Sequence, residues 1–438
     1  MSGGCNHFGS CGGCAYQDLT YEQQLEKKER EVTALLSSAI RNSEVEWLPA
    51  AESPRHYEYR NKMEYTFGNE RKDGPLTVGL HRRRSFHDIV PVTECRIVDG
   101  DFRKILAATM EYFGKREIPF FNRKRHEGYL RHLLVRKGAK TGEILVDLVT
   151  TWNGNRPKEL FSSGSDFPVD AKTVPEEESL LSGYVAALKA LPLDGALRGV
   201  LHTRNDSIAD VVRDEGTDIL CGEDYFFEEL LSLRFRITPF SFFQTNSLGA
   251  ETLYSVARDF VREAARGESF GTVYDLYSGT GTIAQILSPV AKKVVGVEIV
   301  SEAVAAAKKN AAENGLDNCE FLCGDVFAVL DQLEEKPDLI VLDPPRDGVH
   351  PKALPKILSY DVPHMVYVSC KPKSLARDLV PIQAAGYRVE KVRCVDMFPF
   401  TGNIEVVSLL QRMSNTRERT ITLDVEMEDY HRIKSEGR

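Results

Sequence analysis

Asp275-Leu276-Tyr277-Ser278-Gly279-Thr280-Gly281-Thr282 stands between two segments of different periodicity. Overlapping its start, residues 272–277 form a short apolar run with β-branched and aromatic side chains, which reads as a strand. After it, residues 283–287 open a helix. Glycine at 279 and 281 lets the chain turn sharply and lets its backbone approach a bound molecule closely. Reading outward, residues 294–298 are a second strand. Ser301 is the expected N-cap of a helix that runs to Asn314 and stops at Gly315. Residues 319–322, 339–342 and 365–368 supply further strands. Strands alternating with amphipathic helices predict an α/β fold, a doubly wound, mostly parallel sheet of Rossmann type.

Such sheets bind ligands outside the carboxyl ends of their strands. Glu298 ends the second strand, 17 residues after Gly281. A carboxylate there can accept hydrogen bonds from both ribose hydroxyls of an adenosine. A dinucleotide fingerprint needs a third glycine, where this chain has Ala284, and no phosphate loop ending in Gly-Lys-Ser/Thr follows. S-adenosylmethionine carries no phosphate and needs neither feature, so it is the expected cofactor. Asp325, after the third strand, is placed to meet the adenine amino group. The plainer alternative is a glycine turn beside a surface glutamate.

Two further segments fall at the same edge. Asp343-Pro344-Pro345-Arg346 follows a very apolar strand, and paired prolines hold a loop extended and rigid. Ser369-Cys370-Lys371-Pro372 ends the next strand. A lone cysteine is usually a buried structural residue, but Cys370 falls in the expected cleft beside Asp343. Glu405 heads the apolar run 406–410, where a carboxylate is costly unless it is paired or functional. One reaction uses these parts. The C5 of uracil is a poor nucleophile until a thiolate adds at C6, and a base must then remove the C5 proton so that the thiol can leave. Cys370 and Glu405 are the candidates for these roles.

A chain of 438 residues implies two or three domains. No apolar run reaches membrane-spanning length, and Met1-Ser2-Gly3-Gly4-Cys5 lacks the basic and apolar regions of a secretory signal. The expected location is the cytoplasm, where the nine cysteines stay reduced. Residues 5–17 read as a loop, and Leu25, Val32, Leu35, Leu36 and Ile40 then recur at helical spacing. Residues 57–236 read as strand-rich, with 143–149 and 208–212 as examples. Residues 153–178, rich in Gly, Ser, Pro and Asp, read as a long loop. The polar tail after Arg412 alternates Ile421, Leu423, Val425 and Met427, as a strand or a plain extension would.

The net charge of −9 argues against a nucleic-acid partner, but its distribution argues for one. Residues 55–140 hold 20 Lys+Arg against 11 Asp+Glu, a local +9 that leaves −18 for the rest. This region includes Arg82-Arg83-Arg84, Arg123-Lys124-Arg125 and the aromatics Tyr57, Tyr59, Phe67, Phe86, Phe120, Phe121 and Tyr129. Cations with aromatics hold phosphates and stack bases; a charge run alone more often marks a solvated face. Cys5, Cys11, Cys14 and Cys95 supply four thiolates, which suit tetrahedral zinc or a [4Fe–4S] cluster equally by spacing.

Residues 5–412 resemble the 5-methyluridine RNA methyltransferases, above all the bacterial 23S ribosomal RNA type. The matching stretches are Ser241-Phe242-Phe243-Gln244-Thr245-Asn246, the 275–282 loop, Asp343-Pro344-Pro345-Arg346, Val368-Ser369-Cys370 and the Glu405 segment. The resemblance implies that Gln244, Tyr277, Glu298, Asp325 and Asp343 contact the cofactor, with Cys370 as nucleophile and Glu405 as proton acceptor. It implies a [4Fe–4S] cluster on Cys5, Cys11, Cys14 and Cys95, 23S ribosomal RNA rather than transfer RNA as substrate, and a monomer with no membrane partner. It also implies that a helix within residues 24–55 packs on the methyltransferase unit. The expected domains are then 1–23 with 56–241 (a central, strand-rich α+β, RNA-binding unit), 24–55 with 242–412 (the methyltransferase), and a 413–438 extension. Many ribosomal members carry an N-terminal RNA-binding barrel; only four residues precede Cys5, so none is expected here. Ser278 and Thr282 also depart from the residues common in the family.

Three rivals stand beside this reading. A transfer-RNA enzyme of the same family would generally lack the four cysteines. A 5-methylcytosine enzyme would place Cys after the proline pair, where this chain has Arg346. A non-catalytic iron–sulfur RNA-binding protein would not need both Cys370 and Glu405.

Overall fold

The computed structural model describes residues 4–152, 177–207, 209, 211–333 and 335–413. After the cysteine-bearing loop comes α1 (Tyr21–Ala39). Thr20 caps it: its Oγ1 accepts from the Gln23 N–H, and the Gln23 side chain accepts from the Thr20 N–H. The buried stripe of α1 is Tyr21, Gln24, Lys28, Val32 and Leu36, so two polar residues replace the expected Leu25 and Leu35. A strand absent from the sequence reading follows, β1 (Glu46–Ala51). It contains Pro49, which an edge strand tolerates because one side of it needs no donors.

The next segment builds a seven-stranded sheet. Its elements are β2 (Lys62–Asn69), β3 (Leu76–His81), β4 (Ile89–Val90), α2 (Gly100–Gly114), β5 (Leu130–Lys137), β6 (Glu143–Thr150), α3 (Glu177–Lys189), β7 (Ala196–Arg204) and β8 (Thr217–Gly222). The strand order is β4-β3-β2-β5-β6-β7-β8, antiparallel except for the β6–β7 pair. Phe102, Ile105 and Phe113 of α2 and Tyr184 and Leu188 of α3 share one apolar core with β2, β5 and β6. Glu177 and Glu178, read from sequence as loop, open α3, while 153–176 lie outside the described residues. Val211 and Val212 are not strand; the strand of that region is β8, starting at Thr217. The hairpin β9 (Phe226–Leu230) and β10 (Leu233–Ile237) turns through Leu231 and Ser232, both at positive φ.

Helix α4 (Ser247–Ala264) then leads into the predicted α/β alternation. It runs β11 (Phe270–Leu276), α5 (Thr282–Leu287), β12 (Ala291–Glu298), α6 (Ser301–Glu313), β13 (Cys319–Cys323), α7 (Val326–Val329), β14 (Leu339–Leu342), α8 (Ala353–Ser359), β15 (His364–Ser369), α9 (Pro372–Ala384), β16 (Tyr387–Val395) and β17 (Glu405–Arg412). The eight-stranded sheet has the order β1-β16-β17-β15-β14-β11-β12-β13. β17 is antiparallel to both neighbours, and every other pair is parallel. From β11 the chain steps outward through β12 and β13, then returns to the other side of β11 as β14. That reversal opens the crevice where such sheets bind ligands. Ser301 is the first residue of α6 rather than its cap; Val300 holds that position without a side-chain bond. Residues 414–438, with the alternating tail, lie outside the described residues.

Candidate active site

β11 and β14 end in register at Leu276 and Leu342, so the segments that follow them leave the sheet side by side. Tyr277 turns out of β11 at φ 69°, a left-handed conformation costly for an aromatic residue. It is held there by the Val297 carbonyl, which accepts from the N–H groups of Tyr277 (2.9 Å) and Ser278 (3.0 Å). Gly279 follows at φ 55° with open space where a side chain would stand. Gly281 has no such freedom: a Cβ there would lie 2.5 Å from the Phe321 ring and 2.8 Å from Ala307. Glu298 accepts from Gly279 N–H (3.0 Å) with one oxygen and from Val300 N–H (2.9 Å) with the other. This fixes the half-buried carboxylate on the glycine loop. Asp325 caps α7 through the Phe327 N–H (2.9 Å), and its charge raises the Tyr277 hydroxyl, after burial, to about 12.

The reacting groups gather next to this loop. Glu405, the first residue of β17, is 4% exposed. Burial and then the Asp343 charge push its carboxyl up to about 8, against the pull of Arg346. Asp343 is raised by burial to about 7. Cys370, half-buried at the end of β15, is raised first by burial, then by Glu405 and Asp343, and lowered by Arg346. Arg346 therefore acts on both Cys370 and Glu405. Its Nη2 donates to Asn403 Oδ1 (3.3 Å) and its carbonyl accepts from Ser374 Oγ (2.7 Å). A cleft of about 520 Å³ opens at Cys370, lined by Arg346, Lys371 and Lys373, by Gly402 and Asn403, and by Glu31 and Leu35 of α1. A wider, mainly apolar groove between α8 and α9 holds none of these reacting groups.

The structure thus brings Cys370, Glu405 and Asp343 within mutual electrostatic reach. Gln244 joins them through a residue that sequence reading missed. The hydroxyl of Tyr254, on α4, bonds to the Gln244 side chain and is raised by burial, then by Asp343, Glu405 and Asp275. Asp275 was also missed as a participant. It accepts from Ala284 N–H (2.9 Å), its other oxygen has no hydrogen-bond partner among the described residues, and burial and Asp343 raise it well above the carboxylate range. The buried carboxyls of Asp275 and Glu405, with the part-buried one of Asp343, fit a ligand that carries positive charge, as the sulfonium and ammonium of S-adenosylmethionine do.

The loop ahead of Glu405 is gripped from three sides. The buried Lys28 of α1 donates to Asp396 Oδ1 (2.9 Å) and to the Phe398 carbonyl (3.1 Å). Tyr59 donates to the Pro399 carbonyl (2.9 Å), and Tyr57 stacks on Phe400 at 4.6 Å. The cysteine loop supplies the third grip, because the Phe400 carbonyl accepts from the N–H groups of Ala15 (2.8 Å) and Tyr16 (3.0 Å). Phe400 itself sits at φ 65°.

Cys5, Cys11, Cys14 and Cys95 share one neighbourhood. Burial raises Cys11, Cys14 and Cys95, the last to about 11, and Cys5 adds to all three shifts. Cys11 accepts from Gly13 N–H (3.3 Å) and Cys14 from Gln17 Nε2 (3.5 Å). Asn6 bonds to Glu94, tying the loop of Cys5 to that of Cys95. Among the described residues no group of three or more His, Cys, Asp or Glu side chains is arranged to hold a metal ion. All four cysteines are free thiols.

A doubly wound sheet with a glycine loop after its first strand and an acidic residue ending the second is an adenosine-binding arrangement, and the matches to known proteins make it that of an S-adenosylmethionine-dependent methyltransferase. Residues 268–397 match the methyltransferase domain family. Residues 194–325 match the tRNA (uracil-5-)-methyltransferase family. An uncharacterized RNA methyltransferase of Clostridium tetani is 48% identical over 93% of this chain and 83% of its own. One of Caldanaerobacter subterraneus subsp. tengcongensis is 46% identical over 93% of this chain and 84% of its own. The crystal structure of Pyrococcus abyssi tRNA (uracil-54, C5)-methyltransferase with S-adenosyl-L-homocysteine superposes with a TM-score of 0.68. It is 26% identical and covers 91% of this chain and 86% of its own. The chain belongs to the S-adenosylmethionine-dependent RNA uracil-5 methyltransferases, and it is an enzyme. No helix among the described residues is long and apolar enough to cross a membrane.

Proposed function

We infer that the protein methylates C5 of a uridine in 23S ribosomal RNA through a covalent adduct on Cys370. The observation that carries the mechanism is the meeting of one half-buried thiol with one buried carboxyl of raised pKa, both under the charge of Arg346. Gln244, Tyr277, Glu298, Asp325 and Asp343 would hold S-adenosylmethionine, which when bound would supply the electrophilic methyl group from its sulfonium and leave as the neutral thioether S-adenosylhomocysteine. The Cys370 thiolate adds to C6, which pushes the electron pair of the C5–C6 bond toward O4 and makes C5 nucleophilic. Once C5 carries the methyl group, Glu405 accepts the C5 proton, the C6–S bond breaks and the ring double bond returns. A carboxyl titrating near neutrality suits that acceptor role better than one of ordinary pKa. Arg346 stabilises the thiolate, and its side chain fills the position where a cytosine enzyme would carry a second cysteine.

The reading that the four N-terminal cysteines take an iron–sulfur cluster is supported by their being free and within electrostatic reach of one another, with Cys95 buried, the others part-buried, and Cys11 and Cys14 accepting from N–H donors. Cys5, Cys11, Cys14 and Cys95 would hold a [4Fe–4S] group, whose part is to cross-link the N-terminal loop. Residues 1–23 with 56–241 form the RNA-binding unit, and 24–55 with 242–412 the methyl-transferring one, in a monomer working in the cytoplasm. Ribosomal rather than transfer RNA is favoured by these cysteines.

The test is to incubate the protein and S-adenosylmethionine with unmodified 23S RNA and with transfer RNA, then map the modified nucleosides. 5-Methyluridine in 23S RNA is expected. Methylcytosine, or product in transfer RNA alone, overturns the substrate assignment. With RNA containing 5-fluorouridine, wild type should form a denaturation-resistant adduct and Cys370→Ala none; an adduct that persists puts the nucleophile elsewhere.

A further inference from the structure

We propose that Phe86, flanked by Arg83, Arg84 and Lys124, is a stacking platform for an unpaired base of the RNA substrate. Phe86 is 82% exposed, more than any other large hydrophobic side chain among the described residues. A single exposed ring is common on protein surfaces; what sets Phe86 apart is the hydrogen-bonded loop that carries it and the cations on that loop and its neighbour.

The loop joins β3 to β4. Arg82 N–H donates to the Asp88 carbonyl (2.8 Å) and Ser85 N–H to the Arg82 carbonyl (2.9 Å). Ser85 Oγ accepts from the N–H groups of His87 (3.3 Å) and Asp88 (3.2 Å). Arg84 is held at φ 65°, so the turn is fixed rather than loose. A second loop stands against it, with Arg123 Nη2 donating to the Phe86 carbonyl (3.2 Å). Asn122 Oδ1 organises that loop by accepting from Lys124 N–H (3.0 Å) and Arg125 N–H (3.2 Å).

The charges divide into two sets. Arg82 pairs with Glu70 (3.1 Å), and Arg125 with Glu127 (3.7 Å). Arg83, Arg84 and Lys124 are exposed, and their side chains make no ion pair or hydrogen bond among the described residues. An exposed ring on a hydrogen-bonded loop that also carries the unpaired Arg83 and Arg84, with Lys124 on the loop bonded to it, matches a base on its π-face with phosphates nearby. Such a ring serves only an unstacked base, so the partner is single-stranded or looped RNA rather than duplex.

Backbone hydrogen bonds tie the platform loop to the cysteine loop. Arg83 N–H donates to the Ser10 carbonyl (2.7 Å), and Gly12 N–H to the His81 carbonyl (3.3 Å). The same cysteine loop bonds to Phe400 on its other side. One short loop therefore separates the platform from the segment that delivers Glu405.

The proposal rests on the RNA-methylating reading. Its test is equilibrium binding of a fluorescent RNA loop bearing the mapped uridine, over a salt series. Phe86→Ala should weaken binding about tenfold without changing the salt slope, while Phe86→Trp keeps the affinity. Arg83→Ala, Arg84→Ala and Lys124→Ala together should flatten the slope by about 2, as three released phosphate contacts predict for single strands. Unchanged thermal midpoints confirm that the variants fold. Affinity of Phe86→Ala within twofold of wild type overturns the platform while leaving the methyltransferase reading intact. Wild type that methylates no RNA overturns both.

Discussion

Glu405→Gln isolates the proton acceptor, and the structure sets two magnitudes for it. The carboxyl is raised from its ordinary 4.5 to about 8 by burial and by Asp343. A folded-state pKa above the unfolded one means that the native protein binds the proton more tightly. Stability is then fully present below pH 4.5 and is lost as pH rises toward 8. Near the middle of that window the loss approaches about 1.4 kcal/mol per pH unit, so wild type should lose about 2–3 kcal/mol between pH 5.5 and 7.5 that Glu405→Gln does not. Urea unfolding of both proteins at the two pH values measures this difference. In turnover, glutamine cannot take the C5 proton, so the C6–S bond stays closed. Multiple turnover should fall by about 10²- to 10⁴-fold, and protein–RNA adduct should accumulate to one per enzyme on denaturing gels. Wild-type turnover should rise from pH 6.5 to 8.5, because raised pKa values at both Cys370 and Glu405 act in that direction. A variant that turns over without adduct, or that loses stability with pH in parallel with wild type, refutes the assignment.

Lys28→Met strands the buried Asp396 and should cost about 3–5 kcal/mol in chemical unfolding; adding Asp396→Leu should recover most of it, and no recovery would point to packing alone. Glu298→Ala should weaken S-adenosylhomocysteine by about 10- to 100-fold in calorimetry, the worth of charge-assisted hydrogen bonds to a ribose. Unchanged affinity would remove Glu298 from the ribose site. Cys95→Ser should abolish the iron content and visible absorption of anaerobically purified protein while Cys221→Ser keeps both. Equal loss in the two would mean that the thiols around Cys95 are not the ligands.

The α/β half was legible because its signals are local. Buried strands are continuous apolar runs, and the glycines, prolines and carboxylates at their ends stand out by type. Tyr254 was hidden because an aromatic on the buried face of α4 looks like core, and only its neighbours across the sheet give its hydroxyl a role. Lys28 was hidden for the opposite reason. A lysine in a helix reads as solvated, and its partner Asp396 is 368 residues away. β1 was masked by Pro49, a strand breaker everywhere except at an edge. The 208–212 run misled because β-branched residues favour strand by type, yet Val211 and Val212 find no partner strand. The meeting of the cysteine loop with Phe400 had no sequence signal, since it runs through backbone groups.

β1 pairs with β16 through Glu46 and Lys391, Trp47 and Val392, partners 345 positions apart. On a ribosome adding about 5–20 residues per second, α1 and β1 emerge about 20–70 s before the strand that receives them. Closing so long a loop costs about 3 kcal/mol more than closing a ten-residue hairpin, so the contact forms only once β15 and β17 have prepared the edge. Until then Val32 and Leu36 face solvent, and the grip of Lys28 on the Glu405 loop does not exist. The site is therefore incomplete until these two distant segments meet, and what is made early is among the last to be buried.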